Sequence, residues 1–329
     1  MNKEEKISQY LDLPFQHIHN DILKGDPISA ARLISMVEDD DPAAVKILQE
    51  LYPHTGKAYI IGVTGPPGTG KSTLIDGIIG YLRKEKKGIG VIAVDPSSPL
   101  SGGAILGDRI RMSSHVEDEG VFIRSMATRG NPGGLANATI EAINIIDALG
   151  KDVILVETVG VGQAEVDIVK IAHTSIVVLT PDMGDDLQMI KSGIMEMGDI
   201  FVLNKGDRDG ADRVFQDLRN VLAGGGNRNG WSPSLFKTEA CRGIGIQELV
   251  EGIRLHRAYL EGSGDIGVVR KRRSETEFVY LLREALLDFV LNDMIKIGTL
   301  TRIVDDIAER KRDPYRAVRE VIAGLKKRS

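Results

Sequence analysis

The sequence of 329 residues predicts an α/β fold with a mostly parallel central sheet flanked by helices, and three observations predict it. Short β-rich runs alternate with amphipathic stretches from Ala58 to about Leu260. Most of these runs are apolar on both faces, which is how strands read when helices cover both sides of a sheet. The first run leads into a glycine-rich segment and then a helical pattern, Gly65 to Ser72 lying between the two. Ligands of such sheets sit beyond the carboxyl ends of the strands, so the polar residues just after each run are the functional candidates.

In chain order, residues 1 to about 55 read as helices. Ala30, Leu33, Ile34 and Val37 repeat at i, i+3, i+4, i+7, and Ala44, Ile47, Leu48 and Leu51 do so again. Asp41 before Pro42 predicts the start of the second of these helices, a capping side chain followed by a proline at the first helical position. The β-rich runs are Tyr59–Thr64, Gly90–Val94, Val121–Met126, Asp152–Val156, Thr174–Thr180, Ile200–Leu203 and Leu235–Lys237. After a linker at Gly262-Ser263-Gly264 the helical period returns. Phe278, Leu281, Leu282, Ala285, Leu286 and Phe289 form one stripe; Leu300, Ile303, Val304 and Ile307 a second; Val318, Val321, Ile322 and Leu325 a third. Asp313 before Pro314 marks the last helix start. Apolar stripes on terminal helices need a surface to pack on, either the central domain or a second copy of the chain.

Composition bounds the function. Apolar residues make up 42% and charged residues 27%, which supports a buried core in a soluble chain. No apolar run approaches the roughly 18 residues of a membrane span. The opening Met1-Asn2-Lys3-Glu4-Glu5 has acids and no apolar core, so neither a secretory signal nor a transit peptide is expected, and a cytoplasmic location is. A net charge of −5 argues against a broad nucleic-acid surface. The single cysteine, Cys241, excludes a disulfide scaffold and a cysteine-based metal site.

Gly65-Pro66-Pro67-Gly68-Thr69-Gly70-Lys71-Ser72 fits G-x-x-x-x-G-K-[ST] between a strand and a helix, the context that motif needs. Its glycines let consecutive amides point into one concave nest for phosphate oxygens, and the next helix adds its positive end. Lys71 is placed to reach the β- and γ-phosphates, and the Ser72 hydroxyl to ligate Mg²⁺. Asn204-Lys205-Gly206-Asp207 follows the run that ends at Leu203. A carboxylate at Asp207, expected to be buried, can accept from both N1–H and the exocyclic amine of guanine, donors that adenine lacks there, and would be left unpaired with ATP. Asn204 and Lys205 would brace that loop and cover the ring.

Several acidic positions compete for Mg²⁺ and water: Asp95 after Val94, Asp108 in Gly107-Asp108-Arg109, Glu157 in Glu157-Thr158-Val159-Gly160, and Asp185 with Asp186. Mg²⁺ keeps several waters, so one or two direct carboxylates suffice beside Ser72 and the phosphates. Gly160 is placed to give its N–H to the γ-phosphate and so couple a loop to nucleotide state.

Taken together, GPPGTGKST, VDPSSP, GDRIRM, SMATRGNPGGL, ETVGVGQ, GDDLQMIKSGIMEMGD, NKGD and RDPYRAV resemble the MeaB/ArgK-type P-loop GTPases, chaperones of adenosylcobalamin-dependent methylmalonyl-CoA mutase and related acyl-CoA mutases. The likeness covers essentially the whole chain. It implies an N-terminal helical extension (1–55), a P-loop GTPase domain (56–262) and a C-terminal helical region (263–329) that forms a homodimer. It implies that Gly65 through Thr73 hold the phosphates of GTP or GDP, and that Ser72 and Asp108 ligate Mg²⁺ with Asp95 and Glu157 close by. It also implies that Gly184–Lys191 is a switch the mutase engages, within which Gln188 and Lys191 turn toward the γ-phosphate. Catalysis then falls to Lys71, Glu157, Gln188 and Lys191. Where the family usually has Thr-Ser-Ala, this chain has Thr238-Glu239-Ala240. The Ala240 N–H is expected to meet guanine O6, and Cys241 is expected to be a buried small residue.

Three other readings make different predictions. A kinase or transport ATPase predicts a preference for ATP, and Asp207 argues against it. A nickel metallochaperone GTPase needs Cys/His ligands, but Cys241 stands alone and the histidines are scattered. A nucleic-acid patch at Arg270-Lys271-Arg272-Arg273 lacks interleaved aromatics and reads as a solvated helix face.

Overall fold

A computed structural model describes residues 17–95, 115, 117–127, 132–158, 171–183, 198–224, 230–296 and 298–326. Seven strands form one sheet: β1 (Tyr59–Thr64), β2 (Ile89–Asp95), β3 (Val121–Ala127), β4 (Val153–Glu157), β5 (Thr174–Leu179), β6 (Ile200–Leu203) and β7 (Ser234–Lys237). Their order is β3-β2-β4-β1-β5-β6-β7 and every pairing is parallel. Each run read from the sequence is present, with ends within a residue or so of those expected.

Because successive side chains point to opposite faces, each strand feeds two cores. Ile60, Ile92, Ile154 and Val156 face one way, and Ile61, Val63, Val91 and Leu155 the other. The first face is covered by α1 (Ile18–Leu23), α2 (Pro27–Glu38), α3 (Pro42–Leu51) and α5 (Pro132–Ala148). The second is covered by α4 (Lys71–Lys84) and α7 (Ile246–Ser263). A third cluster packs α6 (Ala211–Gly224) on Val177, Phe201 and Leu203 through Leu218. The N-terminal stripes thus pack on the central domain, chiefly against α5 and one another, with α2 also reaching β3, and Ile22, Leu33, Ile34 and Leu51 are fully buried. Asp41 caps α3 through the Ala43 amide at 2.9 Å, and Asp26 caps α2 through Ser29 at 2.8 Å. Buried Asp147 fixes the entry to β1 by accepting from the amides of Gly56 (2.6 Å), Lys57 (3.2 Å) and Ala58 (3.0 Å).

Two sequence expectations change. Gly262-Ser263-Gly264 is no linker: α7 runs to Ser263, and Gly264, at φ 81°, ends it in the left-handed conformation that suits glycine. The basic run is not a wholly solvated face, because Arg273 is buried and donates to Asn144 Oδ1 at 2.6 Å.

The described residues fall into two compact units, one ending at Thr276 and one beginning at Glu277. The second contains the end of α8 (Asp265–Lys296), α9 (Thr299–Ala308) and α10 (Pro314–Lys326). Asp313 caps α10 through the Arg316 amide at 2.9 Å. An apolar groove of about 770 Å³ runs among these helices, lined by residues such as Leu282, Leu286, Ile303, Val318 and Ile322. Among the described residues no helix is long and apolar enough to cross a membrane.

At the amino ends of the central strands, two imidazoles are buried as neutral rings. His173 Nδ1 accepts the Ile60 amide at 2.9 Å and the ring stacks on Tyr59. Burial first, then the charges of Arg273, Arg270 and Arg257, pull its pKa down to about 3. Burial also lowers His256, opposed by Asp199. Both rings take up a proton on unfolding once pH falls below about 6.5, so their stabilisation is complete above that value and declines below it, for His173 until about pH 3. Urea unfolding is therefore expected to become easier from pH 7 to pH 4.5, and His173→Asn, which keeps an acceptor without titrating, is expected to flatten that slope by up to about one proton. An unchanged slope in the variant would contradict this account.

Candidate functional site

The parallel register brings the carboxyl ends of five strands together: Val63 pairs with Glu157, Thr64 with Val177, Leu179 with Leu203, and Leu203 with Lys237. The loops leaving these strands carry the site.

The loop after β1 needs its glycines. Gly65 has φ 139°, and a Cβ there would lie 2.1 Å from the Val178 carbonyl oxygen. Gly68 and Gly70 have φ 78° and 88°, and a Cβ on Gly70 would meet Asn204 Nδ2 at 2.5 Å. Thr69 closes the turn by donating its hydroxyl to Pro66 O at 2.9 Å. Gly70 is the N-cap of α4 and supplies no side-chain cap, so the helix presents its amino-terminal amides to whatever lies beyond. Buried Lys71 donates through Nζ to Gly65 O (2.8 Å) and Pro66 O (3.1 Å), oxygens of the same loop that would cradle phosphate. Buried Ser72 donates its hydroxyl to Glu157 Oε1 at 2.8 Å. Thr158, next along, holds Thr64 Oγ1 at 3.0 Å.

Opposite stands the loop after β6. Asn204 is buried and its amide joins three segments: Nδ2 donates to Thr69 O at 2.9 Å, while Oδ1 accepts from Thr238 Oγ1 at 3.0 Å and from the Ala240 amide at 3.1 Å. Lys205, at φ 58°, reaches back and donates to Gly68 O at 2.7 Å. Gly206 N donates to Thr238 O at 2.9 Å. Between the two sides lies a cleft of about 450 Å³, within the usual range of small-molecule sites. Gly68, Gly70, Lys71, Ser72 and Thr73 line its phosphate end with Glu157; Asn204, Lys205, Asp207, Glu239, Ala240 and Cys241 line the other.

Gly65 to Thr73, Glu157 and the residues after β6 and β7 are therefore gathered at one place. The Asp95 side chain, Asp108, Gly160, Asp185, Asp186, Gln188 and Lys191 lie outside what the structure describes. Three expectations are revised, and the departure at Glu239 gains a contact. Cys241 is exposed rather than buried, because it sits in the short 3₁₀ turn after β7 that forms the cleft wall. Asp207 is exposed on that wall, not enclosed. The Ala240 amide is directed to Asn204 rather than offered freely to a base. The Glu239 carboxylate is paired, accepting from Arg242 Nη1 at 2.8 Å. Arg208 and Arg242 also line the cleft, and sequence reasoning missed both. Arg208 follows directly on the N-K-x-D motif and pairs with Asp182.

An all-parallel sheet, a glycine loop opening a helix beside a buried Lys and Ser, and a polar cleft at the strand ends define a P-loop nucleoside triphosphatase. The family model "Methylmalonyl Co-A mutase-associated GTPase MeaB" matches residues 30–294, and the chain belongs to that family of GTPases. A Pyrococcus abyssi protein, named provisionally as a GTPase, is 49% identical over 308 residues, which cover 92% of this chain and 95% of that one. GTPase ArgK of Escherichia coli is 34% identical, with 82% and 83% covered. The mouse protein named methylmalonic aciduria type A homolog, mitochondrial, is 32% identical, with 86% and 72% covered. A crystal structure described as LAO/AO transport system kinase superposes with a TM-score of 0.70 at 25% identity, covering 94% of this chain and 97% of that one.

Removing the Asn204 amide leaves Thr69 O, the Ala240 N–H and the Thr238 hydroxyl without their shared partner. Asn204→Ala is expected to lower unfolding stability by about 2–4 kcal/mol and to weaken guanine-nucleotide binding at least ~30-fold. Urea unfolding and nucleotide titration check this, and a loss below about 0.5 kcal/mol would contradict it.

Proposed function

We propose that this chain is a Mg²⁺-dependent GTP hydrolase of slow intrinsic turnover that works as a nucleotide-switched chaperone of an adenosylcobalamin-dependent acyl-CoA mutase, methylmalonyl-CoA mutase being the favoured client. The observation that carries the GTP reading is the Asn204 amide joining the phosphate loop to the loop after β7, with Asp207 and Ala240 on the same cleft wall. The mutase reading rests on the family and on the mouse relative whose name refers to methylmalonic aciduria.

In this reading the amides of Gly65–Thr73 hold the phosphates, and Lys71 exchanges its two loop carbonyls for β- and γ-oxygens. Asp207 accepts from the guanine edge, and Lys205 covers the ring. Phosphoryl transfer asks for positioning and charge stabilisation more than covalent chemistry, so water is the nucleophile and no Ser/His/Asp triad is required. The donors suit a hard cation. Ser72 and Glu157 offer oxygen ligands already in contact. Ser72, Glu157, Asp95 and Asp108 would hold Mg²⁺, whose charge would offset that developing on the phosphate oxygens. Gly160 would report the γ-phosphate to the partner, while Gln188 and Lys191 would turn toward it and stimulate hydrolysis. The protein acts as a homodimer through its C-terminal helices, a role supported by the apolar groove and by exposed Leu282, Leu286 and Ile322.

Lys71→Ala is expected to reduce GTP hydrolysis at least ~100-fold, and parent-like turnover would sink the account of the phosphate site. Co-elution of the full chain with methylmalonyl-CoA mutase is expected to differ between GDP and a non-hydrolysable GTP analogue. An association blind to nucleotide would remove the chaperone role, and a monomer mass in the same runs would remove the homodimer.

A further inference from the structure

We infer that Arg242 sets base selectivity by holding the Glu239 carboxylate away from the six-position of the purine, an inference that rests on the guanine reading of the cleft. The base end of the cleft carries two carboxylates, Asp207 and Glu239. The first is the acceptor that guanine requires. The second is a liability in its free form. At the six-position guanine presents an acceptor oxygen where adenine presents an amino donor. An unpaired carboxylate beside it would repel guanine and accept from adenine, favouring the wrong base.

The geometry answers this liability. The backbone root of Glu239 is fixed: its N–H donates to Ile244 O at 3.0 Å and its carbonyl accepts from Ile244 N at 3.3 Å. Gly245, at φ 79°, packs so tightly that a Cβ would lie 2.3 Å from Lys237 O. Only the side chain of Glu239 is left to turn, and Arg242, three residues on, takes its Oε2 at 2.8 Å. The Glu239 side chain is 19% exposed and that of Arg242 67% exposed, so the pair sits at the cleft mouth. Exposed ion pairs contribute little to stability, so the main effect of this one is on which charge the cleft shows a base. Arg242 is thus a positioning residue that acts through Glu239.

The test is displacement of a fluorescent GDP analogue by GDP and by ADP, measured on the parent, R242A, R242K and the double variant E239Q/R242A. R242A is expected to lose about three- to ten-fold of the preference for GDP over ADP. R242K, which keeps the charge, and E239Q/R242A, which removes the stray carboxylate, are expected to recover it to within about twofold. An unchanged preference in R242A would overturn the inference, as would a double variant no better than R242A. Lost thermal stability with intact preference would assign the pair a purely structural role and overturn it equally. If the parent itself binds ADP as well as GDP, the guanine reading fails first and takes this inference with it.

Discussion

The site depends on one side chain, the amide of Asn204. Its donor end holds the carbonyl of Thr69 in the phosphate loop, and its acceptor end holds Thr238 and the Ala240 amide in the loop after β7. A cleft built from separate loops would otherwise pay the ordering entropy of each loop when ligand arrives. Here three are ordered in advance by a buried group whose loss would strand partners on all sides. Lys205 adds a second tie to Gly68 from the same strand end. Gly70 is the complement of this arrangement, since any side chain there would collide with the amide that spans the gap.

That arrangement is possible because the sheet is covered on both faces. β1 is buried along its whole length, flanked by β4 and β5, and its carboxyl end can move only if the sheet moves. The N-terminal helices share in this, packing Leu33, Ile34 and Leu51 against the same face as Ile60 and Val156. They belong to the layer that covers this face of the sheet, packed largely on α5. The polar contacts of Asp147 with three amides before β1 secure the other end of that strand.

Much of this was legible in the sequence, for physical reasons. Strands buried on both faces must be apolar throughout, and a phosphate nest must be rich in glycine, so Tyr59–Thr64 followed by Gly65–Ser72 announces itself. Capping by Asp41 and Asp313 was legible because the side chain acts on amides two or three residues away. What escaped depends on distant partners. The burial of Arg273 is set by Asn144, 129 residues away, and no local pattern encodes that. Cys241 was expected inside because a small thiol side chain favours burial, and Asp207 because reading a base edge favours an enclosed carboxylate, whereas the cleft leaves its wall open to solvent. Glu239 departs from the usual motif, and its pairing with Arg242 is a contact that the motif does not encode. The Gly-Ser-Gly segment read as a linker from composition alone, while one left-handed glycine makes it the end of a helix.

Calorimetric titration of the full chain with GTP and with ATP, each with Mg²⁺, tests the central claim most directly. The account predicts saturable binding of GTP at least about a hundredfold tighter than that of ATP, because a site built to satisfy one base leaves its polar groups unpaired with the other. Absence of heat with GTP, or equal affinity for the two nucleotides, would contradict it.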